Sequence, residues 1–277
     1  MIILQSKSGL IPFKIIYFAQ KPSLINGIFG TYRSTQSNKH SFLFKRETIN
    51  TLINSLKQSE SELLRSFKKQ TVYEINRSIR DRATEFDLHA SMTDFMDIYN
   101  NYADTKGWRH YKLRKELKNN LHATVCKLDG KIIIGHLYFL DPNSKRVCLE
   151  ASVSDICRIK NIQLRALIGR ANRHLHYADM LYFKNLGFEQ YDFGGYDDHN
   201  IDDPKKIGIN RFKNSFNGKL VYESNYTSYP LLALFTTKKI YRYVTKKFKQ
   251  QNSNRLFFPK VNALIQFIHV FRYHSPL

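Results

Sequence analysis

A short strand that runs into two adjacent glycines and is followed by a cationic helix is the feature that most restricts how this chain can fold. Residues 191–195 read Tyr-Asp-Phe-Gly-Gly, and residues 208–218 read Gly-Ile-Asn-Arg-Phe-Lys-Asn-Ser-Phe-Asn-Gly. Paired glycines permit backbone angles and close approaches that larger residues cannot adopt. The pattern predicts a strand, a tight turn and a helix that carries Arg211 and Lys213 and stops at Asn217-Gly218. Bare backbone, one carboxylate and two cations would then surround a small space suited to a charged substrate.

The remaining elements predict a mixed α/β fold. Residues 1–45 have the pattern of short strands and turns. Helical patterns cover residues 47–57, 60–82, 91–106, 111–120 and 161–186, and strand patterns cover residues 122–128, 131–140, 146–153 and 189–193. Asp129-Gly130 is typical of a tight hairpin turn. Strands that alternate with helices in this way favour an α/β sheet covered by helices.

The helix at residues 161–186 has one predicted buried stripe, formed by Leu164, Ile168, Ala171, Leu175, Ala178, Tyr182 and Leu186. His174, His176 and Asp179 fall between these positions. We assign them to the polar face of the helix, with contact to a substrate as the alternative.

The positive charge of the chain is concentrated at its two ends. The formal net charge is +21, and residues 1–46 and 224–277 together hold 16 of the 44 cations and none of the 23 acids. The central part is therefore close to an ordinary domain, whereas the ends suit a polyanion such as a phosphate-bearing lipid surface or RNA. Within the last segment, residues 231–249 alternate apolar side chains with lysines, a pattern typical of a helix lying on an anionic membrane. Docking on the chain's own domain and RNA binding are the alternatives.

Cysteine usage favours a reducing compartment. Cys126, Cys148 and Cys157 form no CxxC pair and no metal-binding spacing. No secretory pattern is visible at residues 1–20, and no apolar run reaches the roughly 18 residues of a membrane span. We expect a cytoplasmic protein, peripheral on the inner membrane face.

Three segments resemble the GNAT acyltransferase fold, and more narrowly the FemABX-like and BioF2-like acetyltransferases of bacterial cell-envelope polysaccharide biosynthesis. The first is residues 63–71 followed by Ile75 and Arg77, and the second is Ser154-Asp155 together with residues 175–180. The third and most specific joins residues 187–195 to residues 208–218. The resemblance spans roughly residues 60–225.

The resemblance implies a mixed central sheet flanked by helices, with a reduced first half. The implied domains are residues 1–85, a GNAT-like core at 86–225, and a basic amphipathic helical tail at 226–277. It also implies transfer of an acyl or aminoacyl group to an amine, with acyl-CoA (acetyl-CoA) or aminoacyl-tRNA as donor. The implied acceptor is a nucleotide- or lipid-linked sugar or peptide precursor, with an anionic membrane surface and tRNA as further partners. Residues 158–164 lack the glycines that hold the pyrophosphate of coenzyme A in ordinary GNAT enzymes.

The same resemblance places the pair Phe212-Lys213 at the transfer site. Lys213 is the candidate for stabilising an oxyanion or a donor phosphate, with a solvated helix lysine as the alternative. Asp192 could accept a proton or bind the acceptor amine, or it could cap the turn that follows it. Arg211 could bind a phosphate, or pair with Asp192 or with an acid of the loop at 197–203.

The remaining candidates line the same space. We expect Gly194 and Gly195 to be needed for their conformation, so that a side chain on either would harm the site, and we place Tyr196 beside them. Glu150, on the third strand of the meander, is a candidate base or a surface carboxylate. No metal is expected. Two alternatives stay open for the whole chain: an aminoacyl-tRNA-dependent transferase of the FemABX type, and a non-catalytic RNA- or membrane-binding protein on a GNAT scaffold.

Overall fold

A computed structural model describes residues 1–8, 10–26, 28–113, 115–196 and 203–252. Residues 1–231 form one compact unit and residues 232–277 a second. The predicted boundary at 225/226 lies close to this division. Residues 1–85 and 86–225 contribute strands to one sheet.

Ten strands of the described residues make up this sheet, in the order β1-β2-β3-β10-β4-β9-β8-β7-β6-β5. The strands are β1 (Ile2–Ser8), β2 (Ile11–Tyr17), β3 (Gly30–Thr35), β4 (Phe44–Ser55), β5 (Glu85–Ala90), β6 (Leu121–Leu128), β7 (Lys131–Asp141), β8 (Arg146–Ser154), β9 (Gln190–Tyr196) and β10 (Lys219–Ser228). Neighbouring strands are antiparallel except for β2–β3 and β8–β9, which are parallel. The predicted meander is therefore present as β6, β7 and β8, and Asp129 and Gly130 have the positive φ angles, 50° and 73°, of the predicted hairpin turn.

The helices are α1 (Glu60–Ser66), α2 (Lys69–Asp81), α3 (Met92–Lys106), α4 (Ile162–Asn185), α5 (Pro204–Asn214) and α6 (Tyr229–Asn252). Short 3-10 turns lie at Leu24–Asn26, Lys115–Asn120 and Asp155–Arg158. None of the described helices is long and apolar enough to cross a bilayer.

Two helical predictions are wrong, and a third is only partly right, because the helix predicted at 111–120 is a 3-10 turn at Lys115–Asn120. Residues 47–57 are not a helix, because most of them belong to β4, which pairs with β10 and β9 on its two sides. The helix predicted at 60–82 is two helices, since Phe67 and Lys68 adopt extended backbone angles between α1 and α2. Phe67 is buried there and joins the main core.

Helices cover both faces of the sheet. Alternate residues of β7 separate the two layers: Tyr138 belongs to the core with α1, α2 and α4, and Leu137 to the core with Phe95 and Ile98 of α3. Helix α4 packs against α2 as well as the sheet, so its buried surface is wider than the predicted stripe. It includes His176 and Asp179, whereas Leu186 is exposed.

The ladder between β8 and β9 is short. It joins Arg146 to Gln190, Val147 to Tyr191 and Cys148 to Asp192. Beyond that level β8 continues against β7, and β9 continues against β4. The two strands therefore part at the carboxyl end of β9, which is the kind of position where ligands bind to open α/β sheets.

Candidate active site

The turn at Gly194 lies where the β8–β9 ladder ends. Gly194 has a φ of +67°, and a Cβ atom built on it would stand 2.7 Å from the carbonyl oxygen of Leu149. Only glycine satisfies both constraints. A Cβ atom on Gly195 would meet nothing within 4 Å, so packing does not require a glycine there, and harm to the site from a side chain at Gly195 stays a prediction.

Lys213 lies against this turn. Its Nζ donates to the carbonyl oxygens of Gly194, at 3.2 Å, and Gly195, at 2.7 Å. Burial lowers the pKa of Lys213, and the negative charge of Asp192 acts in the opposite direction. An ammonium has three donors. The two hydrogen bonds to the turn therefore leave one donor of the ammonium for a substrate oxygen.

Asp192 is buried and accepts hydrogen bonds on both of its oxygens. Thr51 Oγ1 and the backbone N–H of Gly194, the latter at 2.8 Å, donate to Oδ1. Arg146 donates to Oδ2 from Nε at 3.0 Å and from its second terminal nitrogen. This geometry matches the alternative in which Asp192 caps the following turn.

Arg146 joins two carboxylates. It also bonds to both oxygens of Glu223, and all three side chains are almost completely buried. Burial alone would lower the pKa of Arg146, but the charge of Asp192 and the bonds to Glu223 outweigh it and raise the pKa. The triad fixes β8, β9 and β10 to one another beneath the Gly194 turn.

The other predicted residues surround the turn less closely. Asn214 donates to the hydroxyl of Tyr196 at 2.7 Å. Arg211 is exposed. The arginine that pairs with Asp192 is Arg146 and not Arg211. Of the other predicted partners of Arg211 in the loop at 197–203, Asp197, Asp198 and Asp202 lie outside the described residues, whereas Asp203 lies within them. Glu150 is exposed at a bulge in β8, past the end of the β8–β9 ladder.

Phe212 links the turn to the core. Its ring centroid is 5.5 Å from that of His176, and the guanidinium of Arg173 lies 5.2 Å from its centre. Helix α5 therefore buries Phe212 while it holds Lys213 at the turn, which explains why the two residues occur as a pair.

A buried polar network behind Phe212 was not predicted. The hydroxyl of Tyr138 donates to Asp179 and lies 2.7 Å from the hydroxyl of Tyr191, which lies 2.7 Å from His176 Nδ1. His136 Nδ1 lies 2.8 Å from Asp179 Oδ2. The assignment of His176 and Asp179 to a polar face is wrong, because they are only 1% and 0% exposed. The sequence does contain one indication of this network. His136 lies within the largely apolar middle of β7, and a histidine buried there needs a buried polar partner.

Two atoms of this network have no hydrogen-bond partner in the part of the chain that the structure describes: His176 Nε2 and Asp179 Oδ1. Burial lowers the pKa of His176, and electrostatic interactions with His136, Lys213 and Arg173 lower it further. The ring of His176 is therefore neutral. The ligand atoms of His136, His176 and Asp179 lie within 4.8 Å of one another, close enough to hold a metal ion. His136 Nδ1 and Asp179 Oδ2 already bond to each other, which suits a hydrogen-bonded core equally well.

A cavity of about 580 Å³ lies beside Arg146 and Glu223. Carboxamides are prominent in its lining, which includes Gln36, Asn54, Gln58, Gln190 and Asn217. Its volume is in the usual range of ligand pockets, about 300–1,000 Å³. Carboxamides both donate and accept hydrogen bonds, so the lining suits hydroxyl and amide groups such as those of sugars and peptides.

The mixed sheet flanked by helices has the architecture of a FemX-like GNAT fold. The chain is similar to the crystal structure of FemX, with 13% identity, a TM-score of 0.62 and 85% of each chain covered. It is also similar to the C-terminal domain of a protein described as a lysylphosphatidylglycerol synthetase from Agrobacterium fabrum, with 12% identity, a TM-score of 0.52, and 85% and 83% of the two chains covered. It is similar as well to L-PGS from Bacillus licheniformis, with 12% identity, a TM-score of 0.52, and 85% and 84% of the two chains covered. No protein-family profile matches the chain, and neither does any curated protein. At these identities the likeness confirms the predicted fold.

Proposed function

We propose that this chain is an acyltransferase that moves an acyl or aminoacyl group to an amine of a cell-envelope precursor. The observation that carries the proposal is the Lys213 ammonium, held on the Gly194 and Gly195 carbonyls where β8 and β9 part. The fold shared with FemX supports it.

The chemistry assigns a specific task to Lys213. The neutral acceptor amine attacks the carbonyl carbon of the donor, and negative charge develops on the carbonyl oxygen. The tetrahedral intermediate then expels a thiolate or a ribose oxygen, and the amine loses a proton as the amide forms. A fixed cation beside the developing oxyanion lowers the activation barrier. In comparable sites, removing one such donor raises the barrier by about 3–4 kcal/mol.

Asp192 supports this role from beneath the turn. Its negative charge favours the protonated form of Lys213 against burial, and its bond to the Gly194 N–H holds the turn. We therefore assign Asp192 to positioning, with Glu150 remaining the candidate base.

The donor is an acyl-CoA or an aminoacyl-tRNA. One neighbour in fold is named as a lysylphosphatidylglycerol synthetase, which favours an aminoacyl group and an acceptor at a membrane. The segment at 232–252 is helical and contains six cations and no acid. We propose that it helps to hold the chain at the anionic inner membrane face.

The test is Lys213→Ala with Lys184→Ala as a matched control. Lys184 also donates to two backbone carbonyls, those of Leu56 and Gln58, at 3.0 and 2.8 Å. Labelled acetyl-CoA and mixed labelled aminoacyl-tRNA are supplied in parallel, with an amino-sugar nucleotide, an amine-bearing nucleotide peptide and extracted membrane lipids as acceptors. We expect Lys213→Ala to lower kcat about 10²–10³-fold and Lys184→Ala to leave it unchanged.

The pH profile separates a cation from a packing residue. Because burial lowers the pKa of Lys213, transfer should fail at a lower pH than an ordinary lysine would allow. Lys213→Arg should restore activity in part and move the alkaline limit upward, since arginine stays charged. Full transfer by Lys213→Ala, or no transfer from either donor to any of these acceptors, would refute the proposal.

A further inference from the structure

The strands of the N-terminal half have a common end. Lys14 of β2 pairs with Gly30 of β3, and Thr31 of β3 pairs with Thr227 of β10. Phe44 of β4 pairs with Ser228 of β10, and the Gly30 N–H donates to Ser228 Oγ at 3.2 Å. The β1–β2 hairpin and the segments leading into β3 and β4 therefore emerge on the same side, which we call the loop end.

The loop end carries large apolar side chains in water. Leu10 in the hairpin is 85% exposed, Ile28 before β3 is 60% exposed and Phe42 before β4 is 88% exposed. Ile25, in the 3-10 turn that precedes β3, is 93% exposed. Of the four large apolar side chains above 80% exposure among the described residues, three belong to these segments, and the fourth is Ile162. Three of the most exposed apolar side chains of the described residues therefore lie at one end of the sheet.

The sequence around these tips carries a large excess of positive charge, although Lys45 pairs with Glu47 at 3.0 Å. Residues 1–46 contain seven cations and no acid. Lys7 and Lys14 lie on the two strands of the hairpin that carries Leu10, and Lys7 is exposed. Apolar tips flanked by lysines complement a lipid layer that has anionic headgroups at its surface and apolar chains beneath them.

A bilayer fits this arrangement better than a protein partner does. A stable protein interface needs a continuous complementary area of about 800 Å² on each side. Separate projecting tips do not offer such an area, but each can enter a lipid interface without shape complementarity. The lysines beside them can reach the headgroups at the same time.

We propose that the loop end inserts Leu10, Ile28 and Phe42 into the interface of an anionic membrane, with Lys7 and Lys14 at the headgroup level. This contact is distinct from the basic helix of the second unit and does not depend on the transfer reaction.

The experiment measures binding of the full chain to vesicles of one part phosphatidylglycerol and two parts phosphatidylcholine, at low and high salt. High salt weakens electrostatic binding through cations anywhere in the chain and leaves the apolar contribution. We expect Leu10→Ser with Phe42→Ser to lower vesicle affinity at high salt about tenfold or more. Ile162→Ser, which removes an equally exposed apolar side chain elsewhere, should leave it unchanged.

A spectroscopic variant locates the contact. Trp108 is the only tryptophan, so Phe42→Trp in a Trp108→Phe chain reports on the loop end alone. Its emission should shift to the blue on vesicle addition and be quenched by brominated lipid. The proposal is overturned by wild-type chain that does not bind these vesicles, by an unshifted emission in bound chain, or by equal binding of the double variant. Concentration-dependent self-association lost in the double variant would assign the loop end to a second copy of the chain.

Discussion

At the scale of single residues, Gly194 and Gly195 are adjacent but under different constraints. Gly194→Ala would force a side chain into a positive-φ conformation and against the carbonyl of Leu149 at 2.7 Å. We expect a loss of at least about 2 kcal/mol in the free energy of unfolding, measured by urea denaturation. Gly195→Ala should change it by less than about 0.5 kcal/mol.

Gly195→Ala then tests the site itself. Its methyl group would enter the open space beside the Lys213 ammonium, so it should raise the KM for donor or acceptor in a chain of normal stability. Equal stability losses for the two variants would contradict the geometry of the turn.

The sequence predicts some of these residue-level relations and not others. The contact between Lys213 and the glycines follows from a strand-turn-helix pattern contained within about two dozen residues. The bond between Asp192 and Arg146 does not, because it depends on the parallel register of β8 and β9 across 46 positions. His176 and Asp179 were assigned to solvent because polar helix residues are mostly exposed, and only their partners on β7 and β9 show otherwise.

At the scale of elements, β4 shows how an apolar pattern can mislead. Ile49, Leu52, Ile53 and Leu56 have the spacing of a helix face. Strand β4 lies between β9 and β10, and it has buried residues on both faces, among them Thr51 and Leu52. A strand covered on both faces loses the alternation that identifies it, so pairing with its neighbours decides its conformation.

Two histidines of helix α4, His174 and His176, should make the stability of the fold depend on pH. Burial lowers the pKa of His176 well below its usual value and that of His174 to about 4. Both rings are neutral in the fold and bind protons in the unfolded chain below about pH 6.5, so stability is present above that pH and is lost as pH falls. His176 alone should contribute a slope of up to about 1.4 kcal/mol per pH unit.

The measurement is the free energy of unfolding between about pH 7 and pH 5, a window above the titration of ordinary carboxylates. His174→Gln removes one of the two contributions and should make the slope shallower. A constant free energy over this window would show that His176 is charged or solvated in the fold.

At the scale of the whole molecule, the central sheet joins distant parts of the sequence. Strand β10, near the end of the first unit, lies between β3 and β4 and pairs with β4 along its whole length. The sheet therefore cannot be completed until residue 228 is present. The succession of predicted strands and helices indicates an α/β protein, but it does not determine this strand order, which depends on pairings across almost 200 positions.

The division of the chain predicts where it can be cut. Residues 1–231 form a compact unit that ends at the fully buried Leu231, so a chain ending there should fold with a Tm within about 5 °C of the full chain. A chain ending at Gly218 lacks β10 and should give no cooperative thermal transition, because β3 and β4 lose the strand between them. Circular dichroism melts of the three chains check both outcomes. A chain of 231 residues that melts far below the full chain would contradict the first expectation, and a cooperative transition in the chain ending at Gly218 would contradict the second.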